Sequence, residues 1–170
     1  MSDIRAIETS YDGYRFRSRL EARWAVFFNA AGIEYQYEPE GFILEDGSWY
    51  LPDFYFKTPG GYYWFAEVKG NLADKEGLRK AKLLDDHPAW EAMGCFILTE
   101  EDLRVPACGW YREDGFFERN DSGWRAYGLD LDIDEYNRAA EAARTARFEH
   151  GETPAVRKKA RQRLGGPELR

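Results

Sequence analysis

The chain has 170 residues, 44% of them hydrophobic and 16% aromatic, which is enough for one domain with a substantial core. Its two cysteines, Cys95 and Cys108, rule out a disulfide framework and lack metal-ligand spacing, which fits a reducing cytoplasm. The first residues form no apolar leader and no stretch is long enough to span a bilayer, so a soluble protein without a membrane partner is expected, and the net charge of −7 argues against simple electrostatic attraction to nucleic acid.

Leu20, Trp24, Phe27, Phe28 and Ala31 recur at helical spacing and predict a helix over 17–31, ended by Gly32. Glu21 lies at the edge of this apolar stripe, and Arg17, one turn earlier, is placed to pair with it. Residues 33–39 alternate and read as a strand closed by Pro39. Two more strands are expected over 42–44 and 49–56, joined by the hairpin signal Glu45-Asp46-Gly47-Ser48. Pro52 suits a strand edge or bulge that would re-aim Asp53. Thr58-Pro59-Gly60-Gly61 is a turn leading into a strand over 62–69.

Gly70-Asn71 breaks that strand, and a helix follows over 74–84, rich in Lys75, Arg79, Lys80 and Lys82. The apolar run 95–98 reads as an interior strand buried on both faces, reached by a right-handed crossover and parallel to the strand ending at Lys69. The expected fold class is α/β, a mixed sheet flanked by helices. Residues 100–130 read as loops with a short hairpin around Phe116 and Trp124, their aromatic residues forming a satellite core. A last helix is predicted over 133–148, with Asp134 and Glu135 in its first turn and Arg144 and Arg147 in its last. His87 and His150 stand alone and read as surface residues.

Charge is distributed unevenly. From Arg157 to Arg170 six basic residues face Glu168 alone, a net +5, so the rest of the chain carries −12. A basic tail on an acidic body can hold a phosphate backbone, or serve as a solubilising extension. The segment 155–164 has helical character and is expected outside the core.

Chemistry concentrates in two short motifs. Side chains alternate along a strand, so Glu67 and Lys69 share a face and Val68 takes the other. If the flanking strands are neighbours, Asp53 joins them. Two carboxylates then suit Mg²⁺ or Mn²⁺, and a lysine beside them orients or deprotonates a water or stabilises charge on a phosphate. The plainer reading is an ion pair on an exposed strand for Glu67 and Lys69, and a surface pair for Arg17 and Glu21.

Pro52-Asp53 followed by Glu67-Val68-Lys69 resembles the signature of the PD-(D/E)XK nuclease superfamily. Glu21 stands where that superfamily carries an acidic residue on a helix before the sheet. The resemblance covers residues 14–99. It implies a restriction-endonuclease-like, three-layer core in a domain over 1–150, with an aromatic region at 100–130, a helix at 133–148 and a basic tail at 151–170. It further implies a Mg²⁺-dependent (or Mn²⁺-dependent) endodeoxyribonuclease with Glu21, Asp53, Glu67 and Lys69 as catalytic residues. Asp53, Glu67 and the Val68 backbone carbonyl would hold the metal, and Glu21 would complete that site or hold a water. Neighbouring carboxylates push a lysine pKa up, so Lys69 is expected to orient and stabilise charge rather than to abstract a proton.

Arg17, Arg19 and Arg23 on the first helix, with Lys75, Arg79 and Lys82 on the second, are expected to form a phosphate-binding rim. Arg157, Lys158, Lys159 and Arg161 would add contacts from the tail. The order of motifs is similar to phage-type Holliday-junction resolvases and to transposon-end and repair nucleases. With no helix-turn-helix or zinc module, structure-selective cleavage of branched DNA by a homodimer is expected. Two other classes stay open at this point: a nucleic-acid-binding member of the fold without turnover, and a protein–protein adaptor whose acidic body meets a basic partner.

Overall fold

Ser18 sets the start of the first helix. Its side chain accepts a hydrogen bond from the Glu21 amide, which satisfies one of the free N–H groups of the first turn. Helix α1 therefore spans Arg19–Ala31, not 17–31, and Arg17 lies ahead of the cap. Gly32 ends the helix with φ 74°, a left-handed conformation in which glycine pays no steric cost. The computed structural model describes residues 7–85, 92–104, 109–113, 116–120, 129–149 and 154. His87, Cys108, Trp124, His150 and the tail residues Arg157, Lys158, Lys159 and Arg161 lie outside the described residues.

A hairpin that the sequence reading did not anticipate precedes α1. Strands β1 (Thr9–Tyr11) and β2 (Tyr14–Phe16) pair antiparallel around Asp12-Gly13, which have φ of 50° and 75°. Two successive left-handed residues make the tight turn whose twist matches a hairpin, and Asp-Gly is its sequence signal.

Four strands form the main sheet, in the order β3 (Glu34–Tyr37), β6 (Phe54–Lys57), β7 (Tyr63–Lys69), β8 (Cys95–Thr99). The first three are antiparallel neighbours, and β8 runs parallel to β7 after the crossover helix α2 (Lys75–Asp85). The sheet is thus mixed and the fold α/β, as the sequence predicts. Strand β8 is not interior, however: it is the outer strand of the described sheet, although both of its faces are covered.

The strand expected over 49–56 is broken in two. β4 (Phe42–Ile43) and β5 (Trp49–Tyr50) make a small hairpin of their own, and β6 begins only at Phe54. Pro52 lies in the gap, where it cannot donate to a ladder.

Two apolar clusters lie on opposite faces of the sheet. On one, Trp24, Phe27 and Phe28 of α1 and Tyr136 and Ala140 of α4 (Ile133–Thr145) meet Phe54, Phe56, Ala66 and Leu98. On the other, Ala81 and Leu84 of α2 and Phe42 and Tyr50 of the small hairpin meet Tyr55, Phe65 and Ile97. Alternation along β6 and β7 feeds the two cores in turn. Truncating a fully buried aromatic residue such as Phe54 or Phe56 to alanine would cost about 3–5 kcal/mol.

The described residues between 100 and 120 form regular elements where loops and a short hairpin are expected. Helix α3 (Glu100–Arg104) follows β8, and β9 (Gly109–Glu113) pairs with β10 (Phe116–Asn120) as a hairpin. Helix α4 is capped by Asp132, whose carboxylate takes the Glu135 amide while Glu135 reaches back to the Asp132 amide. It ends at Thr145, three residues short of the expected 148, because the backbone at Ala146 turns extended. Among the described residues no helix is long and apolar enough to cross a membrane.

Candidate active site

The register of β6 on β7 pairs Phe54 with Ala66, so the next step along the two strands sets Asp53 against Glu67. The ladder stops there because Asp53 turns its side chain inward. Its Oδ2 accepts a hydrogen bond from the Val68 amide at 2.7 Å, and its backbone carbonyl accepts from the Glu38 amide at 2.8 Å. One residue thereby ties three chain segments together at the end of the sheet.

Glu67 and Lys69 share a face of β7, as period-two alternation requires. Lys69 Nζ lies 2.9 Å from Glu67 Oε1 and 2.7 Å from Asp74 Oδ2. The other Glu67 oxygen accepts from the Tyr50 hydroxyl at 2.7 Å. Val68 points to the opposite face, against the α1 core. Glu21 is buried too: it accepts from Ser18 Oγ at 2.8 Å, from the Arg17 amide at 3.0 Å and from the Tyr37 hydroxyl at 2.5 Å.

Arg17 takes a different role from the one expected. Because Ser18 caps the helix, Arg17 gives Glu21 its backbone amide and not its guanidinium. The guanidinium instead reaches Asp53 Oδ1 (2.6 Å, from Nη2) and Glu38 Oε1 (3.0 Å, from Nε). The side chain remains 59% exposed, so it spans the distance from solvent to a buried carboxylate.

Three buried carboxylates, Glu21, Asp53 and Glu67, crowd one end of the sheet. Burial, followed by the negative charge of Glu67 and Glu21, pushes the Asp53 carboxyl up to about 8. The Val68 amide and Arg17 act in the opposite direction and are outweighed. Burial acts to lower the Lys69 ammonium, but its bonds to Asp74 and Glu67 prevail and hold it above the ordinary lysine value. Burial also raises the Tyr50 hydroxyl well above its usual range, so it stays a donor to Glu67.

This donor set fits a hard divalent cation. Asp53 and Glu67 supply buried oxygen ligands in a region of excess negative charge, and Mg²⁺ is commonly held by one or two carboxylates with the substrate's phosphate oxygens completing its shell. Among the described residues no three acidic, histidine or cysteine side chains converge as a metal cluster. Glu21 is bound instead by Ser18, Tyr37 and the Arg17 amide, which leaves Asp53 and Glu67 as the two carboxylates that could hold a cation.

The expected rim of cations is divided. α1 and α2 pack on opposite faces of the sheet, so Arg19 and Arg23 do not form one surface with Lys75, Arg79 and Lys82. Arg19 pairs with Glu149, and Arg79 with Glu76 and Asp46. Lys75 is exposed in the first turn of α2, and Lys82 is half-buried further along it.

Sequence reasoning missed Tyr37, Glu38, Tyr50 and Asp74. Asp74 had a faint signal, a capping-type residue just before a helix, and Ser18-Arg19-Leu20-Glu21 is a capping pattern that would have placed Arg17 correctly. No family model, no curated protein and no solved structure matches the chain.

Proposed function

We propose that the protein is a Mg²⁺-dependent endodeoxyribonuclease of restriction-endonuclease-like fold. The observation that carries this reading is the hydrogen bond from the Val68 amide to Asp53 Oδ2, which fixes the Pro-Asp segment beside the Glu-x-Lys strand. It brings a buried aspartate next to Glu67, with Lys69 held against Glu67. The layering of α1 and α4 on one face and α2 on the other supports the proposed core.

The net reaction is hydrolysis. A water oxygen bonds to phosphorus, the bond from phosphorus to the leaving sugar oxygen breaks, and that oxygen ends protonated. Asp53 and Glu67 would hold the cation, with the Val68 carbonyl and Glu21 as further candidates, and when bound the cation polarises the phosphate and acidifies water. Lys69, kept protonated by Glu67 and Asp74, stabilises charge on the phosphate and orients the water. Tyr50 fixes the rotamer of Glu67.

The finer reading is a cytoplasmic homodimer acting on branched DNA, with Arg17, Lys75, Lys82 and the tail cations Arg157, Lys158, Lys159 and Arg161 contributing phosphate contacts. Purified protein should nick plasmid or four-way-junction DNA with Mg²⁺ and not with EDTA, and Asp53→Asn and Glu67→Gln should each abolish the activity while keeping the fold. Wild-type turnover by either variant would end this reading.

A second reading has one observation in its favour. The Arg17 guanidinium already occupies Asp53 Oδ1, an arrangement that a DNA-binding protein without turnover could keep. Retarded DNA that is never cut, in Mg²⁺ or Mn²⁺, would select it.

A further inference from the structure

The start of α1 and the end of α4 enclose a cleft of about 370 Å³ away from the carboxylates. Its walls include Arg19, Arg23, Arg144, Arg147, Phe148 and Glu149, four guanidinium groups against one carboxylate. Arg19 and Arg23 are four residues apart and share a helix face, while Glu21, two residues from each, lies on the opposite face. The cleft and the carboxylate site are thus separated by the width of one helix, roughly 10 Å.

The cations here are not all satisfied by protein groups. Arg23 Nε is buried and, among the described residues, has no hydrogen-bond partner. Among the described residues its one ion-pair partner, Glu100, has its carboxylate 3.9 Å from Nη1, too far for a hydrogen bond. Among the described residues no carboxylate pairs with Arg147. Arg144, in contrast, is fixed by Glu141 and by the Leu103 carbonyl, and Arg19 by Glu149. A buried donor without an acceptor is costly, and an incoming oxyanion would relieve it.

We propose that this cleft binds a phosphate group, and that its physiological occupant is a backbone phosphate of the nucleic acid whose scissile bond lies at Asp53 and Glu67. The guanidinium fork matches phosphate oxygens in pairs, and the arginines outnumber the single acidic residue of the wall. The volume falls within the range of about 300–1,000 Å³ usual for ligand clefts and leaves room for the sugar joined to the phosphate. A strand laid across the start of α1 reaches both sites. This assignment of the occupant rests on the nuclease reading above; the anion site itself does not.

The test uses the full chain in EDTA, so that binding is read without cleavage. Fluorescence anisotropy with a labelled duplex and a labelled four-way junction gives affinity against salt, and thermal unfolding with inorganic phosphate reads the anion site. The Arg23→Gln/Arg147→Gln double variant should lose about ten-fold or more in DNA affinity, with a log–log salt slope shallower by about two, and should lose its protection by phosphate. Arg147→Gln alone, at an exposed position, should make the slope shallower by about one and keeps the test valid if the double variant unfolds. An unchanged slope in Arg147→Gln, with phosphate protection also unchanged, overturns the proposal. Lost phosphate protection with unchanged DNA affinity overturns the nucleic-acid occupant and leaves a site for a free phosphate compound. Failure of the nuclease reading shows elsewhere, as wild-type protein that never cuts DNA in Mg²⁺.

Discussion

The Lys69 ammonium lies over Gly77, in the space that any β-carbon at position 77 would take. Gly77 opens α2 toward β7, and Asp74, one helical step earlier, holds Lys69 Nζ from below and takes the Gly77 amide at 3.0 Å. The lysine is therefore aimed by a missing side chain as much as by its two carboxylate partners.

Gly77→Ala should consequently separate stability from chemistry. Alanine favours a helix interior over glycine by about 0.5–1 kcal/mol, which offsets the cost of moving Lys69 Nζ and the Asp74 carboxylate that takes the first-turn amide, so the fold should hold without a large change in stability. The cleavage rate should fall toward that of Lys69→Ala, which removes a charge-stabilising group and should lose about two to three orders of magnitude. Thermal unfolding and single-turnover rates on the two variants check this. A Gly77→Ala protein with the wild-type rate would show that Lys69 need not sit where it is found.

A pH dependence follows from Asp53. Its carboxyl stays protonated in the fold up to about pH 8, while in the unfolded chain it ionises near the ordinary value of about 4. Between these limits the folded state holds a proton that the unfolded state has released. The metal-free protein should thus lose stability as pH rises from about 4 to about 8 and change little from this source above that. Asp53→Asn should lack this slope and become the more stable protein toward the alkaline end. Urea unfolding in EDTA across the window measures it; a wild-type minus variant difference that does not move with pH would contradict it. Mg²⁺ binding near pH 7 should release a proton, visible as a buffer-dependent enthalpy in calorimetry.

Tyr50→Phe should weaken the site without dismantling it. The phenyl ring keeps the packing of the α2-side core, and only the bond to Glu67 Oε2 is lost. A hydrogen bond to a charged group is worth about 1.5–3 kcal/mol, and here it fixes a rotamer. The rate should fall by roughly ten-fold or more, with DNA affinity measured in EDTA unchanged. Equal losses in affinity and rate would mean that Tyr50 shapes the DNA surface instead.

Much of the sheet could be read from the chain because its signals are local. Alternation alone sets Glu67 with Lys69 and Val68 against them, and the apolar run 95–98 marks a strand covered on both faces. Its position at the outer edge was not legible, since covered faces say nothing of neighbours in the sheet. Arg17 was misplaced by one capping residue: the i, i+4 spacing to Glu21 is real, but Ser18 takes the cap and frees the guanidinium for Asp53. Tyr37 and Tyr50 were invisible for a different reason. A hydroxyl that meets a carboxylate across 16 or 17 residues of sequence leaves no periodic trace.

The turn at Thr58–Gly61 closes with the Thr58 amide donating to the Tyr62 carbonyl and the Gly61 amide donating to the Thr58 carbonyl, so Asp53 and Val68 are brought together by a hairpin only 15 residues in span. Arg17 must instead travel across 36 residues to reach the same aspartate. In kinetic terms the acidic pair belongs to a contact of low order and its counter-cation to one of higher order. The two negative charges are then expected to meet while water still solvates them, ahead of the arginine that steadies them. Refolding kinetics of Arg17→Met would register this as a near-unchanged folding rate with faster unfolding, and a folding rate that slows in step with the lost stability would refute it.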